Sequence, residues 1–161
     1  MGALEAVVLL EGDEETARSL YEQSLQALNS SRSRGRVGLI LIDMGDIWLR
    51  QDKGEQQATI LYKQGLRMWQ DSQDAEPWIG IVKALCGIAD VAAAQGQAER
   101  AGRLLAVVDR LLPTDDKNRE MINRRISAAR EKLDATRFKA GWAEGRLMTE
   151  EQGIAEALQH P

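Results

Sequence analysis

Apolar residues recur along most of this chain at i, i+3, i+4, i+7 and i+8. That spacing puts a hydrophobic stripe on one face of a helix. The stripe comes in three similar stretches, Leu4 to Leu28 around Gly12-Asp13, Met44 to Trp69 around Lys53-Gly54, and Ile88 to Leu112 around Gly96-Gln97. Each reads as a helix, a tight turn and a second helix. The alanine near the start of the second helix returns at Ala17, Ala58 and Ala101, giving periods of 41 (58−17) and 43 (101−58). From that alanine the stripe runs Leu20, Tyr21, Ser24, Leu25, Leu28, then Leu61, Tyr62, Gly65, Leu66, Trp69, then Leu104, Leu105, Val108, Asp109, Leu112. The alanine suits a close helix crossing, so Ala101 is expected at tight contact and Ala106 off the stripe.

The first helix of a hairpin is apolar nearly all round. Val37, Leu39, Ile40, Leu41, Ile42, Met44, Ile47, Trp48 and Leu49 cover most of its circumference, as expected of a helix with neighbours on several sides. Helix limits follow from capping chemistry. Asp13 with Glu14-Glu15, Pro113-Thr114-Asp115-Asp116, and the capping-box spacing of Thr149 and Gln152 mark three starts. The spacing predicts helices near 3–11, 14–29, 34–52, 55–71, 76–95, 98–111, 115–133, 135–144 and 150–159. The fold class is therefore all-α, an array of helical hairpins with about nine helices. Residues 1–112 form three hairpins, and 113–161 form C-terminal capping helices in the same domain. In the cap, Phe138 and Trp142 are expected to cover the last hairpin while Arg124, Arg125 and Arg130 face water. The first copy begins partway into its first helix, so a C-terminal piece of a larger protein is expected.

Composition narrows the function classes. A net charge of −4 over 161 residues disfavours a direct nucleic-acid role. Ser30-Ser31-Arg32-Ser33-Arg34-Gly35-Arg36 is the one basic stretch and reads as a solvated inter-repeat loop. No apolar run reaches the length of a membrane span, so no membrane partner is expected, and a single cysteine suits a cytoplasmic setting.

Catalytic constellations do not assemble. Cys86, within Ala84-Leu85-Cys86-Gly87-Ile88, reads as a buried core thiol, and His160 stands alone beside Pro161. The pairs Glu14-Glu15, Asp115-Asp116 and Glu150-Glu151 sit at helix starts, where they offset the helix dipole. Trp48, Trp69, Trp78 and Trp142 read as packing residues. The sequence therefore implies no catalytic residue, no metal site and no cofactor.

The segments Gly87-Ile88-Ala89-Asp90-Val91-Ala92-Ala93-Ala94-Gln95-Gly96-Gln97, Glu99-Arg100-Ala101-Gly102-Arg103-Leu104-Leu105 and Gly141-Trp142-Ala143-Glu144-Gly145-Arg146 with Leu147-Met148-Thr149-Glu150-Glu151 carry a resemblance. They resemble the long-period tetratricopeptide repeats in the C-terminal regions of bacterial LuxR-type and MalT-like transcriptional regulators and related signal-transduction ATPases. The resemblance implies an α-solenoid whose inner helices line a concave groove for a protein or peptide. The family's nucleotide- and DNA-binding modules lie outside such repeats, and no phosphate loop occurs in this sequence. By alignment with the repeat, the groove candidates are Asp43, Asp46, Arg50, Lys83 and Asp90. The continuous run Val7, Val8, Leu9 and Leu10 is expected to be an apolar edge for self-association, giving a homodimer. The function expected is a non-catalytic interaction or effector-sensing module. The alternative is a structural spacer that closes a larger solenoid without a ligand of its own.

Overall fold

A computed structural model describes residues 34–72 and 78–159, together with the separate positions 15, 19, 22, 23 and 26, which are helical and exposed. The described residues are all-helical, with no strand. Seven helices follow one another as α1 (Arg34–Leu49), α2 (Glu55–Gln70), α3 (Trp78–Ala94), α4 (Ala98–Leu111), α5 (Arg119–Lys132), α6 (Ala135–Gly145) and α7 (Glu150–Gln159). They match the last seven expected helices to within a few residues. The expected helices over 3–11 and 14–29, and the apolar run Val7 to Leu10, lie outside the described residues apart from those five positions.

Helix limits obey local chemistry. In the turn between α3 and α4 Gly96 has φ +73, and Gln97 N–H donates to the Ala92 carbonyl while Gly96 N–H donates to that of Ala93. That pattern is a Schellman motif, and the left-handed residue it needs is glycine at no steric cost. Asp134 accepts from Arg137 N–H at 2.9 Å to cap α6. Thr149 Oγ accepts from Gln152 N–H at 3.1 Å and Gln152 Oε1 accepts from Thr149 N–H at 2.8 Å, the reciprocal capping box expected from their spacing. Helix α5 starts later than expected. Asp116 accepts from both the backbone and side-chain nitrogens of Asn118, at 2.7 and 2.9 Å. This turn consumes the acid that would have capped a helix at 115. Arg34, Gly35 and Arg36, the end of the basic stretch read as a loop, form the first turn of α1, where the helix expected from 34 begins.

Two aromatic residues of α2 set the helix crossings. Trp69 lies against Gly38 of α1 and Gly80 of α3, and Tyr62 against Gly45 of α1 and Gly87 of α3. A side chain at Gly80 or Gly87 would overlap the rings outright, and at Gly45 it would come within 2.7 Å. The glycines of α3 stand 42 residues after those of α1 (80−38 and 87−45), so the same notch is cut twice. Because contacts on α2 run backwards as those on α1 and α3 run forwards, α2 is antiparallel to both, and α1 and α3 are parallel. The core runs through this layer and on into α4, with Ile42, Tyr62, Leu66, Leu85, Leu104 and Val108 among its buried members.

The C-terminal helices cover α4. Its Gly102 approaches the backbone of Phe138, Gly141 and Trp142, Gly141 lies against Glu99, and Gly145 against Arg103 and Ala106. Contacts advance together along both chains, so α4 and α6 cross in parallel. This overturns one expectation: Ala106 is 0% exposed, as is Ala101. The third hairpin's second helix has α6 and α7 on the side read as solvent-facing. Helix α7 lies against α4, and to a smaller extent α2 and α3. Arg103 pairs with Glu156 at 2.9 Å and Glu144 at 3.1 Å, while Arg100 donates to the carbonyls of Glu156 and Ala157 at 3.0 and 3.3 Å. A cation on the last carbonyls of α7 also offsets its dipole.

A candidate groove between the inner helices

Residues of α1, α3 and α5 together enclose a cavity of about 170 Å³. Ile42, Val82, Leu112, Met121 and Ile122 supply apolar lining, and Trp78 stands half-buried at its side. Asp43 and Asp46 enter from α1, Lys83 from α3, and Asn118 and Arg125 from α5 and its N-cap. Spacing of three along α1 explains why Asp43 and Asp46 arrive on one face.

Three of the five groove candidates, Asp43, Asp46 and Lys83, therefore line this cavity. Asp90 is not part of the lining, and its carboxylate lies 3.2 Å from the Arg125 guanidinium. Arg50 is exposed in the turn after α1 and is not part of the lining. The helix ends at Leu49, so the period that aligned Arg50 with the repeat no longer applies. Arg125 was expected to face water and instead is half-buried, whereas Arg124 and Arg130 are exposed as expected. The carboxylate of Asp90 offers it a partner only on the inner side of α5. Sequence spacing missed Trp78, Asn118, Met121 and Arg125. Residues from α5 could be placed in the groove only once its docking beside α3 was known.

The wall behind the cavity is a small polar network. Tyr62 Oη donates to Asp46 Oδ1 at 2.6 Å. Burial, then the Asp46 charge and this hydrogen bond, hold the Tyr62 hydroxyl far above its usual range. Asp90 is also raised, because the cost of burial exceeds what Arg125 returns. For Arg125, burial works against the charge, but Asp90, Cys86 and Asp46 outweigh it and keep the guanidinium firmly protonated.

Cys86 lines the inner end of the cavity and is 1% exposed. Burial pushes its thiol up to about 12. A thiol at that value is almost wholly protonated at neutral pH, so no thiolate nucleophile is available. Because the folded pKa is raised, its contribution to stability is complete below the unfolded value of about 8.5 and is lost as pH rises towards 12. Stability should thus fall between pH 9 and 12, and the fall should be shallower in Cys86→Ala. Ellman's reagent should label the native chain at least about a hundredfold more slowly than the urea-unfolded chain. Rapid labelling of the native chain would show the thiol to be accessible.

Among the described residues no group of three or more His, Cys, Asp or Glu is placed to hold a metal ion, and no helix is long and apolar enough to cross a membrane. Comparison with family models, with curated proteins and with solved structures returned no match.

Proposed function

We propose that this chain is a non-catalytic interaction module, a tetratricopeptide-like array of about nine helices whose inner groove binds a protein or peptide. The observation that carries this reading is the placement of the C-terminal helices. Helix α7 packs chiefly on α4, and the cavity is lined by residues of α1, α3, α5 and the turn before α5, with none from α7. Were the chain only an end cap, its own last helix would be expected to occupy the groove. The lining combines an apolar floor with acidic and basic groups at the rim, the pattern of a surface that selects a partner rather than one that simply faces water.

The paired glycine notches 42 residues apart support the repeat reading, since each repeat unit must leave room for the same aromatic residue. Through the resemblance of its repeats and tail, the module is assigned to a bacterial LuxR-type or MalT-like regulator acting in the cytoplasm, and the Val7–Leu10 run to self-association. It needs no cofactor and touches nucleic acid only through other domains.

Display selection of random peptides on the immobilised chain tests the reading. Selected peptides should lose at least about tenfold in affinity on Asp43→Lys or on Met121→Trp, which fills the cavity mouth. Circular dichroism of both variants should match the parent. Peptides indifferent to both variants would place binding elsewhere, and no enrichment at all would leave the spacer reading.

A further inference from the structure

The corner between α5 and α6 holds a second, separate cleft. It measures about 400 Å³ and is lined by Arg130 of α5 and by Ala135, Phe138, Lys139 and Trp142 of α6. None of these residues lines the groove between α1, α3 and α5. Positions 135, 138, 139 and 142 share one helical face by their spacing of three and four. Phe138 is taken up by the core at 2% exposed, whereas Trp142 is only half-buried and leaves aromatic surface in the cleft.

All the charge lining this cleft has one sign. The Arg130 guanidinium lies over the Trp142 ring, 4.7 Å from its centroid, and 5.8 Å from that of Phe138. Among the described residues the side chains of Arg130 and Lys139 take part in no hydrogen bond and no ion pair. The acids nearest in sequence do not intrude. Glu131 and Asp134 are outside the lining, and Asp134 accepts from the Arg137 N–H as the cap of α6. Lys139 has Ala135, Thr136, Trp142 and Ala143 three and four positions away, so no carboxylate of its own helix faces it. The chain carries −4 overall, so an anion is held only where cations stand without acids, as they do here.

We infer that this cleft binds a small organic carboxylate, its apolar body against Trp142 and Ala135 and its carboxylate on Arg130 and Lys139. A volume of about 400 Å³ falls within the roughly 300–1,000 Å³ of small-molecule sites. An inorganic anion would leave the aromatic surface unused, and an uncharged apolar molecule would leave both cations unanswered. The planar guanidinium matches two carboxylate oxygens, and its place over Trp142 before the ligand arrives lowers the cost of ordering it. This site stands apart from the groove and holds whether or not the groove binds a peptide.

Two-dimensional NMR of the full chain, titrated with sodium phenylacetate and separately with phenethylammonium chloride and sodium acetate, tests the chemistry. Phenylacetate should shift the Trp142 indole N–H and the Arg130 Nε–H. It should bind at least about tenfold more tightly than either control, one of which has the wrong charge and the other no apolar body. Arg130→Gln and Lys139→Gln change exposed side chains, which keeps the fold, and each should weaken phenylacetate at least about fivefold. Arg124→Gln, on α5 but outside the cleft, should leave binding unchanged. No shift at Trp142, equal binding of phenethylammonium, or an equal loss in Arg124→Gln overturns the inference. A peptide with a C-terminal phenylalanine carboxylate that binds at least about tenfold more tightly than phenylacetate marks a site for chain termini and overturns the free-acid assignment.

Discussion

Gly141→Ala should lower the melting temperature by about 5 °C, against the direction that helix propensity gives. Alanine in place of glycine inside a helix is worth about 1 kcal/mol. At Gly141, however, a Cβ would overlap the carbonyl oxygen of Glu99 and stand 2.7 and 2.8 Å from that residue's carbonyl carbon and Cα. The obstacle is backbone, which cannot rotate aside, so α6 must move off α4. Overpacking of this kind costs about 1–3 kcal/mol and sometimes more. A net loss near 2 kcal/mol corresponds to about 5 °C in a chain of this size. Ala140 is exposed on the same helix. There Ala140→Gly should lose about 1 kcal/mol through propensity alone. Thermal melts of both variants test the crossing: a Gly141→Ala that gains stability would mean that α4 and α6 do not meet at this point. Gly141→Leu should dislodge α6 altogether and leave little soluble protein.

The helices themselves were legible because their signals are local. Thr149 and Gln152 announce the start of α7 by spacing alone, and Gly96 the end of α3. The all-round apolar character of α1 correctly marked a helix with several neighbours, and Ala58 and Ala101 are fully buried as their place on the stripe required. What could not be read is where a helix goes after it forms. Ala106 looked peripheral because the stripe of α4 was drawn for one partner, whereas α4 has neighbours on two sides. Arg125 looked like a solvated charge because nothing in its own helix pairs with it, and its partner Asp90 lies 35 residues earlier (125−90). The glycines at 38, 45, 80 and 87 were visible as letters, but glycine alone does not reveal the ring that fills its space.

The candidate site divides in the same way. Asp43 and Asp46 could be read together because residues three apart on α1 share a face, and Lys83 stands on α3, which runs parallel to it. Arg50 and Asp90 do not line this cavity, the one standing beyond the end of α1 and the other paired with Arg125. The groove's third wall is α5, whose buried positions are confined to Ile122, Ile126 and Ala129. So narrow a stripe does not say which neighbour it faces, and the α5 contribution became visible only with the fold.

Removing residues 136–161 should make the chain aggregate. Phe138 is 2% exposed and stacks on Trp142 with ring centroids 6.1 Å apart, while Arg130 lies over the Trp142 ring at 4.7 Å. Ile154 and Ala157 of α7 are buried too, and Val107 of α4 lies where α7's Gly153 packs on it. Losing a buried Phe side chain costs about 3–5 kcal/mol and a buried Ile about 2–5 kcal/mol. Those two alone match much of the roughly 5–15 kcal/mol that holds a domain folded. The truncation also bares Gly102, Ala106 and Val107 as one apolar strip and strips Arg103 of Glu144 and Glu156. An uncovered strip of this kind invites association between copies. Light scattering and dye binding to apolar surface should both rise sharply. Removing 147–161 alone should give an intermediate result, because α6 would still cover Gly102 and Ala106. A 136–161 truncation that stays monomeric with an unchanged melting temperature would show that α6 and α7 ride on the array without closing it.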